Sequence, residues 1–232
     1  MTNDALNGTS SDASAGPAQL DRIAAATLAH YSARAEDFRE GTRDHDVSQN
    51  IAALLRALDA PGVAGAARVI LDFGCGPGRD LQTFTRMGHC AIGLDGTLDF
   101  VEMARRDSGC EVWHQNFLHL ALPPAYFDGV FANAAMFHVP GRALPLVLSR
   151  LYDAIKPGGA LFCSNPRGGN EEGWHAGRYG AYHDLSAWQA LMTRAGFVEI
   201  EHYYRPAGLP REQQPWLASV WRKPAAGAGE QS

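Results

Sequence analysis

The chain has 232 residues, with 20 Lys and Arg set against 25 Asp and Glu, a formal net charge of −5. That balance offers no basic stripe for neutralising phosphates, so a nucleic-acid partner is not expected. Hydrophobic residues make up 46% of the chain, enough for one α/β domain with its own core. No apolar run reaches the roughly 18 residues of a membrane span, so no membrane partner is expected either.

Residues 1–18 are small, polar and aperiodic and read as a disordered leader, as do residues 224–232. They show no signal-peptide pattern. One domain is expected over 19–223. Leu20–Phe38 reads as a helix, ended by EGTRDHD at 40–46; residues 19–60 would form a helical cap. Ser48 is placed as the cap of a helix with Ile51, Leu54, Leu55 and Leu58 on one face. Pro61-Gly62 should stop it. Strands are expected at 68–73, 90–94, 111–114, 127–132 and 160–164. Helices are expected at 79–87, 98–106 and 142–156. The segment 166–183 is glycine-rich and reads as a lid-like insertion. Asp184 should cap a helix ending at Gly196, followed by strands at 197–204 and 215–222. Strands and helices alternate with short connections, which demands a mostly parallel sheet covered on both faces. Only PAGLPREQQ separates the last two strands, so they should pair antiparallel. The four cysteines, Cys75, Cys90, Cys110 and Cys163, form no C-x-x-C pair. Free thiols in a reducing, cytoplasmic setting are expected.

The informative segment is ILDFGCGPGRD, residues 70–80. It follows a strand and opens a helix at the edge where open α/β sheets bind ligands. A dinucleotide fingerprint places its third glycine five residues after the first. Here Gly78 follows Gly74 by four, and an acid, Asp72, precedes the loop. Backbone carbonyls and a carboxylate suit a cationic ligand better than a pyrophosphate, which disfavours a nicotinamide oxidoreductase. Asp95 ends the second strand and can accept both hydroxyls of a ribose.

Together with GLDGT, FDGVFANAAMFHV, IKPGGALF and AGFVEIE, this segment resembles the class I S-adenosylmethionine (SAM) methyltransferases, in register from about residue 68 to 222. The resemblance implies a three-layer α/β sandwich with a seven-stranded sheet, order 3-2-1-4-5-7-6, strand 7 antiparallel. It implies that Asp72 and Gly74 to Gly78 hold the methionine part of SAM, that Asp95 holds the ribose, and that Asn116 and Phe117 line the adenine. Position 116 is often Asp in such families and is Asn here. Tyr31, Arg43, Cys75, Gly96 and Asn133 complete the expected cofactor set.

Marks of several subclasses are missing. Asn133-Ala-Ala-Met replaces the Asn/Asp-Pro-Pro-aromatic of amino-methylating DNA enzymes, and no Pro-Cys nucleophile or acidic Mg²⁺ cluster appears. A small-molecule acceptor remains. Its pocket is expected from residues 31–46, Phe137-His138, and the polar, aromatic segment 165–184. Arg167 or Arg178 could clamp a carboxylate. Asp44, Asp46, Glu171 and Glu172 could hold an amine or imidazole, with Asn165 and Tyr182 nearby. His138 is the candidate catalytic base or orienting donor. His45, His175 and His183 lack diagnostic metal spacing, so no metal is expected. The reading is N-methylation of a small polar metabolite, narrowed to an imidazole nitrogen of a histidine derivative, as in thiohistidine (ovothiol-type) methylation. A small-molecule O-methyltransferase and a non-catalytic SAM-binding subunit are the alternatives.

Overall fold

The computed structural model describes residues 16–59 and 65–225. The expected leader falls largely outside these residues, as do Pro61-Gly62 and most of the expected tail. Two helices open the described chain, α1 (Pro17–Ser32) and α2 (Ala35–Thr42), followed by α3 (Ser48–Leu58). Then come β1 (Val69–Phe73), α4 (Arg79–Arg86), β2 (Cys90–Asp95), α5 (Leu98–Ser108), β3 (Glu111–His114) and β4 (Phe127–Asn133). The second half holds α6 (Leu144–Ala154), β5 (Ile155–Pro166), β6 (Glu171–His175), β7 (Arg178–Tyr182), α7 (Leu185–Arg194), β8 (Val198–Arg205) and β9 (Trp216–Arg222).

Seven strands form one sheet in the order β3-β2-β1-β4-β5-β9-β8. Strands β1 to β5 pair in parallel, and β9 runs antiparallel to both β5 and β8. This is the expected order, with the hairpin β6–β7 taking two numbers of its own. The two faces follow from strand alternation. Leu71 and Phe73 point into the core beneath α6 and α7, while Ile70 joins α3, α4 and α5 on the other side. Helix α3 buries Ile51, Leu54 and Leu58 there. Three such side chains contribute up to roughly 5–9 kcal/mol, which holds a helix too short to be stable alone.

Several boundaries differ from the sequence reading, each for a local reason. Helix α1 begins at Pro17, because a proline in the first helical turn gives up no hydrogen bond. The expected helix 20–38 breaks at Ala33-Arg34. An unbroken helix would set Tyr31 and Phe38 two turns apart, about 10 Å along the axis. Instead their rings lie 5.4 Å apart, and both pack on Phe100, at 5.9 and 5.1 Å. Ser48 starts α3 rather than capping it: its N–H donates to Asp46 Oδ1 at 2.9 Å. Asp184 does cap α7, accepting from Ala187 N–H at 2.8 Å.

The segment 166–183 is largely a β-hairpin. Its two-residue turn, Ala176-Gly177, has φ of 49° and 86°, the primed geometry that matches strand twist. Strand β7 is buried: Tyr179 is 1% and Ala181 2% exposed. Its anchor is Tyr179 N–H, which donates to Thr27 Oγ1 on α1 at 3.1 Å. Thr27→Val keeps the shape and removes that acceptor. Losing this bond in the buried strand should cost about 1–3 kcal/mol, read by urea unfolding. Amide exchange across 178–182 should accelerate; unchanged exchange would mean the hairpin is held by packing alone.

Candidate active site

The carboxyl edge of the sheet opens into a cleft of about 960 Å³ roofed by α1 and α2, within the ~300–1,000 Å³ usual for small-ligand sites. Its floor is the turn after β1. Gly74, Gly76 and Gly78 have φ of 76°, 51° and 90°, a region closed to most side chains. At Gly74 an added Cβ would sit 2.5 Å from Ala135 Cβ, so the turn lies directly against the end of β4. There Ala134 takes φ 60°, a non-glycine outlier on the cleft wall.

Asp95 ends β2 and is 7% exposed. Its Oδ2 accepts from Gly76 N–H at 3.0 Å and its Oδ1 from Thr97 N–H at 2.8 Å. Each oxygen keeps a lone pair for a ligand hydroxyl. Burial raises its pKa, and these backbone donors work against that. Leu28 of α1 covers Gly96, and Phe117 stacks on Phe73 with centroids 4.2 Å apart. The Asn116 carbonyl accepts from Leu118 N–H at 3.0 Å, leaving its amide N–H₂ for a ligand. The cleft thus offers a carboxylate able to accept from a diol, a turn with glycine at three of its five positions and an aromatic flank. That donor set fits SAM.

Tyr31 and His138 meet on the wall beside β4. The Tyr31 hydroxyl lies 2.7 Å from His138 Nε2, and His138 Nδ1 lies 2.7 Å from the Tyr179 carbonyl. A carbonyl only accepts, so Nδ1 carries the proton and Nε2 accepts from Tyr31. Burial, the largest cause, pushes the His138 pKa down to about 4, helped by Arg178 and His30 and opposed by the Tyr179 carbonyl. Burial pushes Tyr31 up to about 12. At neutral pH both are uncharged. The linkage has a definite sign. The unfolded chain takes up the histidine proton from about pH 6.5 and the folded chain only near 4, so stability falls as pH falls through that window. His138 alone should remove about 2 kcal/mol between pH 7 and pH 5. Urea unfolding of His138→Gln should lack this component; an unchanged pH slope would contradict the assignment.

Of the residues expected from sequence, Tyr31, Arg43, Asp46, Gly74, Cys75, Gly76, Asp95, Gly96, Asn116, Phe117, Asn133 and His138 line the cleft. Others do not. Asp72 is buried beneath the turn, 2% exposed, and its Oδ2 has no partner among the described residues. Gly78 packs on Ala104 of α5. The Asp44 side chain is 86% exposed and pairs with Arg43. Asn165 is buried with its Oδ1 unpartnered. Arg167 donates to the Gln214 and Arg211 carbonyls, and Glu172 accepts from Gly141 N–H. Arg178 lies over the Tyr31 ring at 6.0 Å, and Tyr182 packs on Phe137. The hairpin therefore stands behind Tyr31 and His138 rather than on the wall itself. The sequence reading missed Asn50, Phe100 and Arg205, which do line the cleft, as does Trp216. Asn50 left one signal, an amide at the start of an apolar helical stripe.

Residues 70–159 match a family described as a methyltransferase domain. The chain is 32% identical over 107 residues to a trans-aconitate 2-methyltransferase of Azoarcus sp., covering 45% of this chain and 42% of that protein. It is 33% identical over 127 residues to a ubiquinone biosynthesis O-methyltransferase of Dinoroseobacter shibae, covering 52% and 50%. The matches thus span half or less of these curated relatives. In fold, it is similar to a Burkholderia thailandensis 1,6-didemethyltoxoflavin-N1-methyltransferase holding 1,6-didemethyltoxoflavin and S-adenosylhomocysteine. The TM-score is 0.73 at 22% identity, over 90% of this chain and 92% of the other.

Proposed function

We propose that this chain, whose residues 70–159 match a methyltransferase domain, is a SAM-dependent enzyme that methylates a ring nitrogen of a small heterocycle. SAM, when bound, supplies a methyl group on a cationic sulfur. Asp95 accepts the ribose hydroxyls, the turn from Gly74 to Gly76 lets the main chain approach the amino-acid end, and Phe117 flanks the base. The protein's remaining task is to align the acceptor and exclude water.

One observation carries the choice of nitrogen: both His138 nitrogens are already engaged, one donating to Tyr179 and one accepting from Tyr31. Most carboxylates of the cleft are engaged as well. Asp80 is paired with Arg79, Asp107 with Arg39, and Asp95 accepts from Gly76 N–H and Thr97 N–H; Asp46, at the exposed rim, accepts from Ser48 N–H through one oxygen. Moving a proton from a hydroxyl of pKa ~10 onto an imidazole near 4 would cost about 8 kcal/mol. A nitrogen lone pair needs no such transfer before attack. His138 is therefore read as a positioning residue that holds the Tyr31 hydroxyl, rather than as the base, one of its two roles expected from sequence. An imidazole belongs to this acceptor class. Of the carboxylates considered for an amine or imidazole, Asp44 and Glu172 lie off the wall, and Asp46 alone lines the cleft.

The names of the two curated relatives keep a small-molecule oxygen acceptor as the second reading. Methyl-labelled SAM with matched nitrogen heterocycles and phenols separates the two. N–CH₃ products should form, seen by carbon NMR, and His138→Gln should add or remove no ionisation near neutral pH. O–CH₃ products would overturn the nitrogen assignment. SAM binding without S-adenosylhomocysteine formation on any acceptor would point to a non-catalytic subunit.

A further inference from the structure

Four neighbouring strands present one wall of the cleft. Asn133 at the end of β4 is in register with Ser164 on β5. Pro166 of β5 is in register with Trp216 of β9, and Trp216 with Arg205 at the end of β8. Asn133, Ser164, Trp216 and Arg205 all line the cleft. Behind them runs a relay of hydrogen bonds. The Tyr203 hydroxyl donates to Asn50 Oδ1 at 2.9 Å, and Asn50 Nδ2 donates to Asn133 Oδ1 at 2.9 Å. Asn50, at the centre of the relay, is 1% exposed, while Tyr203 and Asn133 at its two ends are half-buried.

The relay has a direction, and the direction sets what the wall offers. Because the Asn133 carbonyl is taken by Asn50, the group Asn133 can offer a ligand is its amide N–H₂. Among the described residues that N–H₂ has no partner, and neither has the Ser164 hydroxyl. Arg205 uses one nitrogen, donating to the Asp46 carbonyl at 2.8 Å, and makes no ion pair among the described residues. Hydrogen bonds from Ser48 hold the neighbouring Asp46 carboxyl below the usual range, and the Arg205 charge helps. Asp46 accepts from Ser48 N–H through Oδ1. The wall is therefore rich in donors, carries one guanidinium with nitrogens to spare, and has the Trp216 ring among them.

We propose that this wall selects a flat acceptor bearing carbonyl or carboxylate oxygens, with Asn133, Ser164 and Arg205 as its donors and Asn50 and Tyr203 as positioning residues that fix the Asn133 amide. The proposal rests on the methyltransferase reading and names the substrate class of the same site. A protonated amine finds only the Ser164 hydroxyl and the free oxygen of Asp46 as acceptors and is repelled by the Arg205 guanidinium. An oxyanion meets a bidentate-capable fork and two neutral donors.

The test uses two probes with the same ring, imidazole-4-acetate and histamine, titrated onto the complex of the full chain with S-adenosylhomocysteine. Imidazole-4-acetate should bind at least tenfold more tightly. Arg205→Gln, at a partly exposed strand end, should bring the ratio close to one. In Asn50→Asp the new carboxylate accepts both from Tyr203 and from the Asn133 amide. That turns the Asn133 carbonyl toward the cleft, and the preference should move toward histamine, a shift that loosened packing would not produce. Asn133, expected from sequence in the cofactor set, serves the acceptor in this proposal, so calorimetry should give S-adenosylhomocysteine affinity in Asn133→Leu within about twofold of the unaltered protein while probe binding falls at least tenfold. A loss there matching the loss of probe binding would assign the bonded oxygen to the cofactor carboxylate and overturn the acceptor role. No preference between the probes, or a preference that survives Arg205→Gln, also overturns it. N-methylation of cationic acceptors would sink this proposal and leave the nitrogen reading standing. A preference for the acid with no methyl transfer would do the reverse.

Discussion

Asp95→Ala should weaken S-adenosylhomocysteine binding by about 10–150-fold, while the folded protein still unfolds cooperatively. The lost bonds run from ribose hydroxyls to a buried carboxylate. Hydrogen bonds to charged groups are worth about 1.5–3 kcal/mol, which sets the range. Part of the loss is indirect, because the same carboxylate accepts from Gly76 N–H and Thr97 N–H. Removing it leaves both donors without partners and frees the turn. Asp95→Asn keeps one oxygen for those donors and should lose less. Isothermal titration calorimetry reads both variants directly, and an unchanged dissociation constant in folded Asp95→Ala would reject the ribose assignment.

The largest effect on stability should come from Gly78→Val. Gly78 precedes α4 with φ 90°, and an added Cβ would lie 2.9 Å from both Cα and Cβ of Ala104. Ala104 is fully buried in α5, so backbone rather than a flexible side-chain tip has to give. Left-handed strain costs about 1–3 kcal/mol and overpacking about 1–3 more. A total of roughly 2–6 kcal/mol lowers the Tm of a chain this size by about 10 °C. Gly88→Val is the control. Its φ is 86°, but nothing lies within 4 Å of the added Cβ. It should show the strain without the crowding, and equal Tm losses in the two variants would refute the packing argument.

Much of the sheet was legible because buried parallel strands are short apolar runs and helices lie between them. VILDF, CAIGLD and FDGVFAN announce themselves in this way. What stayed hidden depends on contacts between distant segments. The hairpin turn uses Ala176-Gly177, with alanine at φ 49°, where a sequence reader looks for Asn-Gly. The break at Ala33-Arg34 exists because Tyr31 and Phe38 converge on Phe100, more than sixty residues along the chain. The side of the cleft proposed for the cofactor is local in sequence, a turn and the ends of two strands. Much of the side proposed for the acceptor comes from α3 and from β8 and β9 near the end of the chain. No spacing rule links Asn50 to Asn133 or Tyr203; only the folded register does.

The order of strands carries a consequence for how this site can change. Asp95 sits at the end of β2 and Arg205 at the end of β8, with β1, β4, β5 and β9 between them. At about 4.8 Å per strand, the two ends of the cleft lie on the order of 24 Å apart across the sheet. Substitutions separated by more than ~7–10 Å and sharing no partner combine additively. A double-mutant cycle of Asp95→Asn with Arg205→Gln should therefore show a coupling energy within about 0.5 kcal/mol of zero. Selection can then redraw the acceptor end one residue at a time while the cofactor end keeps its affinity, which is how a single scaffold comes to serve many acceptors.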